Sequence, residues 1–284
     1  MNFKDITVGI VTFNSEKVIF ECLKGIKKIK NIIIFDNSND LILKKKILSK
    51  FPNIKFILSK KNIGYGSGNN KIINLCKTKY LFILNPDTIL KRNCENELLK
   101  TLNENDNSNL SILTPISDDK NFGYFNDYKK SKTKKKFKVD YVKGFSMLID
   151  IKKIRSIGKF DENFFLYLEE IDLCKRLVKK GYSIYVTKTA IIKHLAAQSS
   201  NLVFEFEKCR NWHWMWSNFY YFKKYNNSFI STIKFTPILI YNLLKVILLT
   251  LKGDRKKKIL YIMRFYGLLN SITGRKSWYR PKLK

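Results

Sequence analysis

Histidine is scarce: His194 and His213 are the two histidines among 284 residues. That excludes a metal centre built from several imidazoles. Cysteine is sparse and scattered. The five residues Cys22, Cys76, Cys94, Cys174 and Cys209 contain no Cys-x-x-Cys pair, so neither a disulfide framework nor a structural zinc site is supported. Free thiols in a reducing, cytosolic compartment are the expectation. Acidic residues are outnumbered, 23 against 55 Lys and Arg, leaving a net charge of +32. No apolar segment with a small-residue cleavage site follows the start. Met1 to Asp5 lead straight into a β-type run, and no signal peptide is expected. No internal repeat is visible.

Hydrophobic residues make up 45% and aromatics 14%, which excludes a disordered chain. The length suits one large domain, or a domain with an appendage. A globule of this size buries roughly 75% of its unfolded surface and needs no staples. The charge favours anionic partners such as nucleotides, nucleic acid or anionic lipid. It equally suits a Lys-, Asn- and Ile-rich composition acting on solvated positions. Residues 201–284 hold 17 basic and 3 acidic residues, against 38 and 20 in residues 1–200. The C-terminal part is therefore the more basic per residue.

The first 115 residues alternate strand and helix patterns. Strands are expected over Ile6–Phe13, Ile32–Phe35, Ile54–Leu58 and Tyr80–Leu84, with helices over Ser15–Lys28 and Leu41–Lys50. A loop with Gly64, Gly66 and Gly68 opens a further helix ending near Cys76. This rhythm predicts an α/β fold with a mostly parallel sheet covered on both faces. Ligands of such sheets sit at the carboxyl ends of the strands. Three polar clusters fall there: Thr12-Phe13-Asn14, Asp36-Asn37-Ser38 and Asn85-Pro86-Asp87. Ser117–Lys138, with seven lysines from Lys129 onward, reads as a surface loop. Val139–Asp150 reads as a strand segment interrupted at Lys143-Gly144. Apolar spacing predicts a helix over Phe164–Lys180 ended by Gly181. Short strands are expected at Ser183–Val186 and Ala190–Lys193.

Beyond about Asn201 the character changes, giving a division into 1–200 and a helical 201–284. Phe204–Tyr225 is rich in Trp, Tyr and Phe, and Phe229–Leu251 is strongly apolar. A spanning helix needs about 20 apolar residues. Here Pro237, Asn242 and Lys245 interrupt the run. A segment lying in the membrane interface, with flanking Lys and Arg on anionic lipid, fits this pattern best. A spanning helix and an ordinary packed helix stay open.

Together the motifs resemble glycosyltransferase family 2 of the GT-A fold, near its bacterial rhamnosyltransferase-like branch. The resemblance spans roughly Ile6–Ser200. It rests on the order of Val11-Thr12-Phe13-Asn14, Asp36-Asn37-Ser38, Asn62-Ile63-Gly64-Tyr65-Gly66, Asn70, Asn85-Pro86-Asp87, Gly144-Phe145-Ser146-Met147, Glu169-Glu170-Ile171-Asp172-Leu173 and His194. It implies transfer of a sugar from a nucleoside diphosphate donor to an acceptor hydroxyl, in polysaccharide biosynthesis. Thr12, Phe13, Asn14, Asp36, Asn62, Gly64, Asn70, Asn85 and Asp87 would then face the donor, with Asp36 accepting from the base. The same residue types also make ordinary turns and helix caps. The Gly-rich loop carries neither a Walker ending nor the dinucleotide spacing. Asp87 and His194 are the implied ligands of Mg²⁺ or Mn²⁺, with Asn85 standing where the wider fold has an acid. Glu170 matches the general base with one methylene more than the usual Asp, and Glu169 is the alternative. Acids at a helix start also complement its dipole. A single base and direct displacement imply inversion. Gly144 is expected to let substrate approach closely; a strand bulge explains it equally.

The implied partners are a dTDP- or UDP-sugar (dTDP-rhamnose first), a lipid-linked or surface glycan acceptor, and the inner face of the cell membrane through 201–284. Nucleic acid is not expected. The rival reading is an inactive basic membrane- or nucleic-acid-binding protein on the same fold.

Overall fold

The computed structural model describes residues 1–104, 108–118, 135–195 and 203–281. Two compact units form. One comprises Met1–Asp161 with Glu170–Asn201, the other Glu162–Glu169 with Leu202–Lys284. The boundary expected at 200/201 lies outside the described residues.

The first unit is built on β1 (Ile6–Thr12), α1 (Glu16–Gly25), β2 (Asn31–Asp36), α2 (Leu41–Lys50), β3 (Lys55–Leu58), α3 (Tyr65–Leu75) and β4 (Tyr80–Leu84). There follow β5 (Thr88–Leu90), α4 (Cys94–Leu102), β6 (Leu110–Ser117), β7 (Lys136–Val139), β8 (Ser146–Asp150), α5 (Ile151–Ser156), α6 (Glu169–Lys179) and β9 (Ser183–His194). The sheet order is β3-β2-β1-β4-β8-β6-β9-β5, with β7 also on β9. β3, β2, β1 and β4 run parallel, and β4 meets β8 antiparallel. Every residue of β1 and β4 is buried, as both-sided cover demands. The start of α3 presses on β1: a Cβ added at Gly68 would lie 2.9 Å from Val11.

Several elements depart from the sequence patterns. Helix α6 begins at Glu169, not Phe164, because Tyr167 and Leu168 take left-handed backbone (φ 72° and 69°) that no helix continues through. The two short strands expected at 183–193 are one strand. Its first half pairs β7 and its last residues pair β5, with a register shift against β6 between Pro115 and Ile116. The surface loop is shorter than Ser117–Lys138, since Ser117 ends β6 and Lys136–Lys138 belong to β7; residues 119–134 lie outside the described residues. The Gly-rich loop is also shorter, with Gly66 and Gly68 inside α3. Elements β5, α4, β6 and α5 carried no recognised signal. Glu95 fixes α4: its buried carboxylate accepts the backbone N–H groups of Lys27, Lys28 and Ile29 at 3.0–3.1 Å. All five cysteines are buried and free.

The second unit holds α7 (Val203–Tyr225), α8 (Ser228–Leu251) and α9 (Arg255–Ile272). Phe219, Met215, Phe235 and Leu268 form its core. Helices α7 and α9 cross so closely that a Cβ on Gly267 would fall 2.2 Å from the Trp212 carbonyl. His213 is fully buried. Its Nε2 lies 2.8 Å from the Tyr279 carbonyl and its Nδ1 3.0 Å from the Ser277 hydroxyl. That network assigns the proton to Nε2, so Nδ1 accepts from Ser277. Helix α8 buries Ser231, Phe235 and Asn242. It leaves Phe229, Ile230, Ile233, Leu244 and Leu251 exposed. By length and composition it could cross a membrane.

Burial pushes the His213 imidazole down to about 3 from an ordinary 6.5, and the Arg280 charge adds to the effect. The unfolded chain therefore binds the proton more tightly. Stability from this group is full above pH 6.5 and is lost as pH falls toward 3. Thermal melts followed by Trp fluorescence should drop steadily between pH 6.5 and 4. His213→Asn should flatten that slope while lowering the melting temperature at pH 7.

Candidate active site

The donor-side residues gather at the carboxyl ends of β1 and β2. Asp36 ends β2 fully buried. Its Oδ1 accepts the hydroxyls of Thr12 (2.8 Å) and Ser38 (2.7 Å), and its Oδ2 the Asp40 N–H (2.9 Å). The carboxylate thus organises the strand-to-helix turn, and Oδ2 keeps acceptor capacity beyond that one donor. Asn14 stands at φ 49°, its N–H donating to Ser38 Oγ at 3.2 Å. Phe13 donates its N–H to Ser15 Oγ. The loop before α3 is tied to β2 through Asn37, which accepts from the Ile63 N–H and donates to the Gly64 carbonyl, both at 3.1 Å. Asn62 Oδ1 accepts the Gly64 N–H, with Gly64 at φ 90°. Asn70 is elsewhere engaged: its buried amide makes a reciprocal pair with the Phe160 backbone at 2.9 and 3.0 Å. Its position there is that of a strut between α3 and the end of α5.

Asn85, Pro86 and Asp87 form a turn closed by the Thr88 N–H on the Asn85 carbonyl at 3.1 Å. Asn85 acts through its backbone, its N–H donating to the Phe145 carbonyl at 2.9 Å. β5 pairs Thr88 with His194. That register carries His194, 107 positions along the chain, to Asp87. His194 Nε2 stands 3.3 Å from Asp87 Oδ1. Asp87 is 3% exposed, and this Oδ1 has no hydrogen-bond donor. The imidazole lies stacked on Phe145, with centroids 4.6 Å apart. A buried carboxylate oxygen and an imidazole nitrogen 3.3 Å apart are a donor set that fits a shared divalent cation. Among the described residues no group of three His, Cys, Asp or Glu side chains surrounds such a point. Further ligands would come from outside the protein.

Glu170 begins α6 half-buried. Burial pushes its carboxyl up; its own N–H, that of Gly144 and the Lys143 ammonium pull the other way. Glu169 is buried beside it in sequence and belongs to the other compact unit. Asp172 and Arg176 instead form an ion pair at 2.8 Å, and Arg176 also caps the Ile157 and Lys159 carbonyls. That is a structural cluster. Gly144 is crowded by protein: a Cβ there would meet the Tyr65 ring at 3.2 Å, and the Tyr65 hydroxyl donates to the Gly144 carbonyl. The close approach of the Tyr65 ring gives the glycine a packing reason in this structure. Lys143, Tyr65 and Phe145 were the site residues missed by sequence reasoning. Their signal was the Lys143-Gly144 interruption in a β-type run.

Asp87, His194 and Glu170 therefore assemble around one short segment, Lys143–Phe145. The glycosyl transferase family 2 model matches residues 7–160, and the chain belongs to that family. An uncharacterised glycosyltransferase of Methanocaldococcus jannaschii is 23% identical over 90% of this chain and 92% of its own length. The rhamnosyltransferase WbbL of Escherichia coli is 25% identical over 69% of this chain and 84% of its own. The solved mannosyltransferase PcManGT of Pyrobaculum calidifontis, in complex with GDP-Man and Mn²⁺, superposes with a TM-score of 0.62 at 10% identity. It covers 96% of this chain and 88% of its own.

Because the fold holds the Glu170 proton more tightly than the unfolded chain does, stability falls as pH rises from the ordinary 4.5 through the raised value. Glu170→Gln fixes the neutral form. It should melt higher than the parent above pH 4.5 and equally below it, as read by calorimetry.

Proposed function

We propose that this glycosyltransferase is inverting and metal-dependent. It moves a sugar from a dTDP- or UDP-donor, rhamnose first, to a hydroxyl of a lipid-linked or cell-surface glycan acceptor. The supporting observation is the convergence of the Asp87–His194 pair and Glu170 on the Gly144–Phe145 backbone. Similarity to a rhamnosyltransferase supports the donor. The Mn²⁺ complex of a protein sharing the fold supports Mg²⁺ or Mn²⁺.

Thr12, Phe13, Asn14 and Asp36 line the strand ends where the nucleoside would lie, with Asp36 Oδ2 as base acceptor. Asn62, Gly64 and Asn85 shape the donor side through the backbone they fix. Asp87 and His194 would hold the divalent cation, which supplies positive charge against the leaving diphosphate. Glu170 takes the proton of the acceptor hydroxyl as that oxygen attacks the anomeric carbon. Its raised pKa brings it nearer the operating pH, where a base balances availability with strength. The N–H groups of Glu170 and Gly144 and the Lys143 ammonium oppose that rise. Glu169 is the fallback base.

The second unit supplies membrane attachment at the inner face. The uncovered side of α8 carries Ile233, Ile240 and Leu244, and Arg255–Lys258 follow it. An in-plane helix with basic neighbours is the arrangement that anionic lipid favours.

UDP or dTDP with Mn²⁺ should raise the melting temperature by several degrees, and Asp87→Ala should abolish the metal-dependent part. Glu170→Gln should keep that shift while transfer falls by about 10²–10⁴-fold. Full transfer in both variants would refute the assignment, and salt-sensitive DNA binding without any nucleotide shift would favour the inactive basic protein. In the parent enzyme the acid limb of kcat/KM should lie above pH 4.5.

Flotation with phosphatidylglycerol vesicles reads the membrane contact. Replacing Ile233, Ile240 and Leu244 together by Ser should weaken binding at least tenfold, since each buried side chain contributes on the order of 1 kcal/mol or more.

A further inference from the structure

The second unit contains a cavity of about 430 Å³ outside the catalytic residues, between α7, α9 and the segment that carries Tyr167. Arg210, Arg264, Asn211, Tyr167 and Trp214 line it. Both guanidinium groups are held by Nε alone. Arg210 donates to the Tyr167 hydroxyl and Arg264 to Asn211 Oδ1, each at 2.6 Å. Arg264 also lies over the Tyr261 ring at 4.9 Å. Neither arginine has a carboxylate ion partner among the described residues. Glu207 reaches the same cavity from an exposed position, and Leu260 closes its side. Two fixed positive groups with free forked ends make a site for paired phosphate oxygens.

The wall is also specific. Tyr167 stands edge-on to Trp214 with centroids 5.5 Å apart and planes at 89°, and Trp214 is 47% exposed. Tyr167 and Leu168 hold left-handed backbone, a conformation that residues with a Cβ adopt rarely. The Arg210–Tyr167 bond and the Ser217 hydroxyl on the Leu166 carbonyl at 2.8 Å keep the segment in that shape. Strain held in this way points to a functional demand on the segment. Three peptide links after Tyr167 comes Glu170. The same unit carries the uncovered apolar face of α8.

We infer that the cavity between Arg210 and Arg264 binds the diphosphate of a lipid-linked acceptor, with Trp214 flanking the group next to it. The inference rests on the transferase reading and names its acceptor class. A soluble glycan offers no diphosphate. The donor's own diphosphate is assigned to Asp87 and His194. An isoprenoid diphosphate matches both the cationic fork and the apolar helix of the same unit.

The test is titration of the full chain with farnesyl diphosphate, followed by Trp fluorescence, beside farnesol and inorganic pyrophosphate. Farnesyl diphosphate should bind saturably. The double variant R210Q/R264Q should bind it at least tenfold more weakly, and both farnesol and pyrophosphate should bind the parent at least tenfold more weakly. Should the double variant not fold, R210Q and R264Q singly carry the same comparison. The thermal shift with UDP and Mn²⁺ should be unchanged in these variants. Its loss in the parent chain would defeat the transferase reading while leaving the arginine-dependent binding to be judged separately. Equal affinity in parent and variant, no binding by the parent, farnesol binding as tightly, or pyrophosphate binding as tightly would each overturn the inference.

Discussion

The peptide groups of Gly144 and Phe145 come just before β8 and have no strand ladder to satisfy them. Buried backbone polar groups must nonetheless be paired. Here the partners come from the elements that carry the chemistry. The Phe145 carbonyl accepts from the Asn85 N–H and from the Thr88 hydroxyl at 3.2 Å. The Gly144 carbonyl accepts from Tyr65. The Gly144 N–H faces the Glu170 carboxylate. One further step along, the Thr114 hydroxyl donates to the Ser146 carbonyl at 2.5 Å. Moving this segment would break contacts to β4, α3, β6 and α6 together. The Asp87 turn and the start of the Glu170 helix therefore both hold on to the same short segment.

The parallel strands give this segment its place. β4 is the last strand of the parallel run and meets β8 antiparallel, pairing Leu84 with Ser146. The strand that ends in the Asp87 turn thus lies beside the strand that begins after Phe145. β5 then returns to pair with the end of β9, which delivers His194. Two ladders and one irregular segment account for the proximity of residues 87, 144, 170 and 194. No long side chain has to bridge a gap, so little rotamer entropy is spent in assembling the site.

What could be read from the sequence follows from how local each signal is. The parallel half was legible because strands buried on both faces read as apolar runs, and polar clusters mark their ends. The roles proposed for Asp87, His194 and Glu170 rest on the order of several motifs together, since Asn-Pro-Asp or Glu-Glu alone also describes a turn or a helix start. Gly68, Gly144 and Asn70 illustrate what was not legible. Each lies within a site motif, yet the partners are Val11, Tyr65 and Phe160, contacts set by tertiary packing at sequence separations of 57, 79 and 90 residues. The start of α6 was misplaced because apolar spacing continues through Phe164 and Leu168 while the backbone does not. Elements β5 and α4 are short, and what fixes α4 is the distant hold of Glu95 on three N–H groups.

Two departures from the family pattern, Asn85 and Glu170, each acquire a physical sense. At position 85 the contacts run through the backbone: its N–H fixes Phe145 and its carbonyl closes the turn on Thr88. A carboxylate there would add negative charge beside Asp87 in a buried setting, where desolvation is costly. With Asn, this turn brings one carboxylate, that of Asp87, instead of two. At position 170 the carboxylate meets the N–H groups of its own helix start, at Glu170 and Ile171, as well as the Gly144 N–H and the field of Lys143. Those influences oppose the desolvation that favours the protonated acid. The first departure keeps a second carboxylate away from Asp87, and at the second the nearby N–H groups and Lys143 oppose, without cancelling, the rise that burial causes.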